Sequence, residues 1–261
     1  MKKYAYLHPL LLARVTAEES NKKDPAKAAK TRLHQMYGAY LSPTACKKAG
    51  AILDAPGQPP ESLLSLHAST RERLPHYPDF YRFVFAHVPP PASLLDLGCG
   101  FNPFSLPFLL KALPENHPFE AYHAYDIDTQ QAALLNRFFT LHSLPAAATC
   151  LDLAAEITAP FPPAGLALLL KLLPVLEAQR AGAGFALARA LPVPHLVISY
   201  PLKSLSGKEK GMAHHYRHTF ETALHTGQLS PFTLRAEKQI GTEWVYILEK
   251  VTSSLTSPES T

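Results

Sequence analysis

With 261 residues and 47% hydrophobic side chains, the chain can bury the core of one large α/β domain, or of a medium domain with a small companion, and wholesale disorder is excluded. Three scattered cysteines, Cys46, Cys99 and Cys150, form no CxxC spacing. They argue against a disulfide framework or a cysteine zinc site, so no metal is expected and a reducing, cytoplasmic compartment is the natural reading. Net charge is +4 but uneven: residues 1–75 hold 12 Lys and Arg against 6 Asp and Glu, while the remainder holds 13 against 15. A basic front end on a near-neutral body is the footprint of a polyanion-docking module, although a solvated helix face gives the same count.

Tyr4 to Ala17 reads as a first helix. Its apolar run from Leu7 to Ala13 contains His8 and Pro9 and leads into Arg14, Glu18 and Glu19, so it is not read as a secretion signal. No stretch is long and apolar enough for a transmembrane helix, and no membrane partner is expected. Asp24 caps a second helix with Pro25 at its first position. Lys23, Lys27 and Lys30 share one face of it. With Lys22 and Arg32 they are candidates for phosphate contact, whereas Leu33, Met36, Tyr37 and Tyr40 read as its core face. A third helix starts at Ser42-Pro43-Thr44 and ends near Ala55; a fourth spans Ser62 to Leu74, and helix resumes from Phe80 to Phe85. Residues 1–75 are therefore expected to form an all-helical module, closed from the next unit by Pro89-Pro90-Pro91.

Leu94 to Leu97 reads as a buried strand, ended by the turn Gly98-Cys99-Gly100 and followed by a helix from Phe104 to Ala112. This places Asp96 and free backbone N–H groups at the carboxyl edge of a parallel sheet, where open α/β sheets bind ligands. Ala121 to Asp126 is the second strand, Thr129 to Leu141 a helix, Thr149 to Leu153 the third strand or its end, and Leu166 to Leu173 a fourth. His195 to Tyr200 is the fifth, after a helix that carries Gln179 and Arg180. A basic loop runs from Lys203 to Met212, and Thr233 to Ile240 and Trp244 to Leu248 close the sheet. The sheet-bearing unit would span 76–251; residues 252–261, rich in Ser and Thr, are expected to be disordered.

An Asp-x-Gly-x-Gly strand end, Asp126 ending the next strand 28 residues after Gly98, and Asp152 ending the third form a nucleoside-binding layout. Pro103 stands where a dinucleotide fingerprint needs its third glycine. That weighs against a pyrophosphate cofactor and for S-adenosylmethionine (SAM), which carries a ribose and an adenine but no phosphate. On pattern alone, an NAD-type enzyme and a non-catalytic relic stay open beside a SAM-dependent methyltransferase.

Further segments narrow this. TRLHQMYGAY (31–40), LHASTRERL (66–74), LDLGCGFNP (95–103), LLLKLLPVLE (168–177), ISYPLKSLSGKEKGM (198–212) and IGTEWVYILEK (240–250) resemble the Arm/Rmt family of aminoglycoside-resistance methyltransferases, which modify guanine N7 in 16S ribosomal RNA. The resemblance implies a class I SAM-dependent methyltransferase fold, Rossmann-like with a mostly parallel seven-stranded sheet, behind an all-helical N-terminal module. It implies that Tyr40, His67, Ala68, Ser69 and Arg73 close over the methionine end of SAM, with Arg73 on its carboxylate. Gly98 would lie under the cofactor, Asp126 would hold the ribose hydroxyls, Asp152 and Leu153 would meet the adenine edge, and Leu170 and Gln179 would line the far wall. Lys203, Lys208, Lys210 and Met212 would grip the RNA, and Lys22, Lys23, Lys27, Lys30 and Arg32 would dock the helical module on it. No general base is expected, since N7 carries a free lone pair, and Cys99 is read as a packing residue. The implied partner is the 30S subunit, met by a monomer. Methylation of another RNA position or of a small molecule, and a silent ribosome-binding protein, are the competing readings.

Overall fold

A computed structural model describes residues 4–38, 44–55, 57–155, 160–202 and 212–251. Helix α1 (Pro9–Glu18) and helix α2 (Pro25–Leu33) open the chain. Asp24 accepts from the Lys27 amide with Pro25 in the first turn, the capping that the sequence predicts. A π-helical turn, His34–Gly38, follows. Next come α3 (Ala45–Asp54), α4 (Pro60–Leu64), α5 (Ala68–Arg73) and α6 (Tyr77–His87).

The sheet region begins with β1 (Ser93–Leu97), then α7 (Leu106–Ala112), β2 (Ala121–Asp126), α8 (Thr129–Leu141), β3 (Ala146–Cys150) and β4 (Leu166–Leu170). It continues with α9 (Leu173–Gln179), α10 (Ala183–Ala190), β5 (His195–Pro201), α11 (Met212–His225), β6 (Phe232–Ile240) and β7 (Glu243–Lys250). The strands form one seven-stranded sheet in the order β3-β2-β1-β4-β5-β7-β6. Strands β1 to β5 pair in parallel, and the β6–β7 hairpin joins β5 antiparallel. This is the expected class I methyltransferase architecture.

Both faces of the sheet are covered, so the central strands are apolar throughout and their side chains divide by parity. Leu94, Leu168, Val197 and Ile247 pack on one side in a core shared with Leu11, Leu33, Leu64 and Phe80 from the helices before β1. Leu95, Leu169, Ile198 and Leu248 pack on the other, against Leu173, Leu187 and Phe220. The chain order reverses between β1 and β4, which opens a crevice outside the carboxyl ends of the strands.

Several boundaries differ from the sequence reading. The helix expected from Ser62 to Leu74 is broken: His67 is extended (φ −109°, ψ 136°) and a new helix starts after it. The Thr70 hydroxyl donates to the Leu64 carbonyl at 2.5 Å, satisfying a carbonyl that the break leaves free. Strand β3 starts at Ala146, not Thr149: pairing with β2 carries Ala146 to Ala148 into the sheet although alanine has little strand propensity of its own. Strand β4 stops at Leu170 because Lys171 adopts φ 58°, after which the apolar run continues as helix. Short apolar runs of this kind read equally as strand or buried helix. Helix α11 was not anticipated, although Tyr216, Phe220, Ala223 and Leu224 have helical spacing.

Candidate cofactor-binding site

The carboxyl ends of β1 to β4 converge on an open cleft. Gly98, Cys99, Gly100 and Asn102 come from the turn after β1, Asp126 and Ile127 from the end of β2, and Leu151 to Ala154 from the loop after β3. Leu170 and Lys171 close β4, and Val175, Leu176 and Gln179 belong to α9. Leu11 of α1, Tyr37, and His67, Ser69, Thr70 and Arg73 of the α5 region complete the wall. Of the predicted cofactor residues, His67, Ser69, Arg73, Gly98, Asp126, Asp152, Leu153, Leu170 and Gln179 are brought together here. Ala68 lies off the lining, and Tyr40 lies outside the described residues.

The turn has the shape that close approach requires. Gly98 has φ 62°, and a Cβ built on it would lie 2.5 Å from the Leu172 side chain. A Cβ on Gly100 would meet the His67 ring at 3.0 Å. Asp96 does not face the cleft: it is 1% exposed and accepts from Asn102 Nδ2 at 2.9 Å and the Tyr122 hydroxyl at 2.5 Å. Burial pushes its carboxyl up to about 6, against those two hydrogen bonds. The edge carboxylate read from the sequence therefore braces the turn through Asn102 and does not reach a ligand.

Asp126 occupies the ligand side. Its Oδ2 accepts from the Gly100 amide at 2.8 Å and its Oδ1 from the Ile127 amide at 2.7 Å. Burial raises its carboxyl above the usual range, and the two amides oppose that. Each oxygen keeps acceptor capacity toward the cleft, as ribose hydroxyls require.

Arg73 is 4% exposed, and its main partner is a residue that the sequence reading missed. Its Nη2 lies 2.8 Å from both oxygens of Glu243, and its Nη1 donates to Asn102 Oδ1 at 3.2 Å. Lys171 Nζ adds contacts at 3.4 Å to Glu243 and 2.6 Å to Glu72, and the Ser199 hydroxyl donates to Glu243 at 2.6 Å. Burial opposes the Glu243 charge, but Arg73 and Lys171 outweigh it and hold the carboxyl below its usual range. Glu243 stands in the quoted IGTEW segment, but no local spacing marks it as the partner of Arg73. Arg73 Nε is a buried donor with no partner among the described residues, and Arg73 lines the cleft.

His67 is 8% exposed, and burial first, then Arg73, Lys171 and Arg71, push its ring down to about 3. It is neutral at physiological pH. Cys99 is buried, and burial raises its thiol well above the usual range, so it is a packing residue and not a nucleophile. Arg14 of α1 was also missed: its Nη2 reaches Asp152 at 3.2 Å and Gln179 Oε1 at 2.9 Å.

These features fit SAM. The unpartnered Arg73 Nε suits the methionine carboxylate, Asp126 offers acceptors to a ribose, and the apolar walls of Leu11, Leu153 and Leu176 suit an adenine.

A second groove adjoins this cleft. Lys22, Lys23, Lys27 and Arg32 line one wall, Pro174, Ala178 and Tyr216 the other, and Met36 and Val175 border both spaces. Lys30 is exposed but lies off this groove, and Arg32 is held by Glu18 at 3.0 Å and Glu19 at 3.1 Å. Lys203, Lys208 and Lys210 lie outside the described residues, as does the side chain of Met212.

Comparison with known proteins agrees. The model of the ribosomal RNA methyltransferase (FmrO) family matches residues 1–230. The chain is 38% identical over 218 residues to a 16S rRNA (guanine(1405)-N(7))-methyltransferase of Frankia casuarinae, covering 79% of this chain and 75% of that protein. It is 35% identical over 255 residues to an enzyme of the same name from Serratia marcescens, covering 95% and 94%. The crystal structure of the 16S rRNA methyltransferase RmtF with S-adenosyl-L-homocysteine superposes with a TM-score of 0.82 at 33% identity, covering 96% of this chain and 94% of that one. The chain belongs to the FmrO family of SAM-dependent ribosomal RNA methyltransferases, the group that holds the Arm/Rmt 16S rRNA (guanine-N7) enzymes.

Proposed function

We propose that this enzyme methylates N7 of a guanine in the decoding A-site of 16S rRNA, acts on the assembled 30S subunit, and thereby confers resistance to aminoglycosides. The observation that carries the RNA reading is the basic groove that shares Met36 and Val175 with the cofactor cleft. A strand lying along Lys22, Lys23 and Lys27 has its phosphates neutralised, and a base turned out of it enters the cleft directly. Tyr216 offers a stacking surface on the opposite wall. Lys30, Lys203, Lys208, Lys210 and Met212 are proposed to extend this contact, and Tyr40 to close the cleft.

SAM supplies a sulfonium methyl group that needs only an in-line lone pair. The chain's residues supply position. Arg73 holds the carboxylate end, Asp126 the ribose hydroxyls, and Asp152 with Leu153 the adenine edge. Guanine N7 has no proton to lose, so the neutral His67 ring need not act as a base. Catalysis rests on holding the base and the methyl group in line.

Among the described residues no helix is long and apolar enough to cross a membrane. We place the enzyme in the cytoplasm, with its ribosomal substrate, as a monomer. The test is transfer of labelled methyl from SAM to purified 30S subunits, free 16S rRNA and 50S subunits, with the modified base mapped. Label at a guanine N7 of the 30S A-site is expected, together with tolerance to gentamicin and kanamycin in a susceptible host. SAM binding without label in 30S RNA would overturn the proposal.

A further inference from the structure

Helix α1 belongs to the cofactor site. Its leading segment is sewn to the sheet edge: the His8 amide donates to the Ile127 carbonyl at 2.9 Å, and the Thr129 amide to the Tyr6 carbonyl at 2.9 Å. Leu7 bridges to Asp128, and Leu11 reaches the cleft wall. One turn further, Arg14 spans 138 positions of sequence to reach Asp152, and the same Nη2 meets Gln179 Oε1. Asp152 and Gln179 are two of the residues read as surrounding the far end of the cofactor.

We propose that Arg14 is a positioning residue for the adenine ring: it fixes Asp152 as the acceptor for the exocyclic amine and turns the Gln179 carbonyl away from the ring. The proposal rests on the reading that Asp152 meets the adenine edge. An ionised carboxylate has about four acceptor sites. Arg14 Nη2 has two hydrogens: one meets Gln179 Oε1 and the other is shared by the two Asp152 oxygens, at 3.2 and 3.4 Å, while the Ala154 amide takes a further site at 3.1 Å. Acceptor capacity remains for one donor from the cleft. The Asp152 side chain is 4% exposed, so its orientation is set by these partners and not by water.

A guanidinium has donors only. Meeting it, Gln179 must present Oε1, which directs its amide N–H groups away from Arg14. The Arg14 contact to Glu18, 3.8 Å away on the same helix, is longer and more exposed and has no such consequence. Arg14 thus keeps an acceptor at the position of the amine, and a ring with oxygen there meets a carboxylate with no proton between them.

The test is calorimetric binding of S-adenosylhomocysteine and of its 6-oxo analogue, S-inosylhomocysteine, to the full chain. A site built around a donor on the ligand rejects the analogue by about tenfold or more. In Arg14→Met this preference is expected to fall at least fivefold, through weaker S-adenosylhomocysteine binding, with the analogue unchanged. Equal weakening of both ligands marks a structural role and overturns the proposal, as does an unchanged preference. If Arg14→Met does not fold, Arg14→Lys decides: a shorter, single-nitrogen cation must lower the preference at least twofold, and a parental value overturns the proposal. Glu18→Gln is expected to keep the parental preference. Asp152→Asn separates the underlying reading: if it keeps the preference, Asp152 does not meet the amine, whereas loss there with none in the Arg14 variants overturns the Arg14 role alone.

Discussion

Arg73 Nη2 lies 2.8 Å from both carboxylate oxygens of Glu243, 170 positions along the chain, and both side chains are buried. The pair joins α5, which carries the HASTRER segment, to the start of β7. Lys171 at the end of β4 touches the same carboxylate. Glu243 thus compensates the buried Arg73 and shares Lys171 with Glu72 beside the cofactor cleft.

Removing that carboxylate's charge leaves the buried Arg73 without its counter-ion, while Lys171 keeps Glu72 at 2.6 Å. Glu243→Gln should cost about 3 kcal/mol or more of unfolding free energy, the range for breaking a buried pair from one side. Urea denaturation with and without S-adenosylhomocysteine measures it. A loss below about 1 kcal/mol, typical of an exposed pair, would show that the network does not hold the site together.

His67 gives a pH signature. Its ring titrates near 3 in the folded state, and an unfolded histidine titrates near 6.5. Between those values the unfolded chain binds one more proton, so stability falls as pH falls through that window. Asp96 works in the opposite sense: its folded value of about 6 lies above the unfolded one, so its contribution rises as pH falls from about 6 toward 4. Comparing the parent with His67→Asn cancels the Asp96 contribution. The parent's unfolding free energy should drop by about 1.4 kcal/mol per pH unit more than the variant's between pH 5.5 and 4. Parallel curves would show that His67 is free to protonate in the folded protein.

Asp126 is assigned to the ribose. Asp126→Asn keeps the shape but loses the charge on an acceptor, worth about 2 kcal/mol, or roughly thirtyfold in affinity. Calorimetric titration with S-adenosylhomocysteine should show this loss, and because Nδ2 of the variant faces the Gly100 or the Ile127 amide, thermal unfolding without ligand should fall too. Unchanged affinity would remove Asp126 from the binding site.

Lys22, Lys23 and Lys27 face the groove and not the cofactor cleft. Changing all three to Gln should leave S-adenosylhomocysteine affinity at the parental value and weaken 30S binding. The slope of log affinity against log salt should fall by about one for each lysine that meets a phosphate, about three in all. A parental slope would mean that this wall does not touch RNA.

The sequence by itself determined the strand-and-glycine layout, because alternating parity, caps and tight turns are local signals. LLDLGCG and the AYHAYD strand could be placed from their own residues, and a ligand-binding edge on a parallel sheet follows from them, whereas the strand order is set by the tertiary structure. The family-bearing segments likewise lay in the linear text. Only the tertiary structure decided what each charge faces. Asp96 and Asp126 both lie at the carboxyl ends of neighbouring strands, yet one braces Asn102 and Tyr122 while the other borders the cleft. The break before α5, which seats His67 against Gly100, depends on a hydroxyl reaching back to a carbonyl six positions away. Glu243 and Arg14 act on residues 170 and 138 positions distant, and no periodicity encodes such pairs. Partners of this kind are chosen by how the helices close over the two faces of the sheet, which packing sets and local spacing does not.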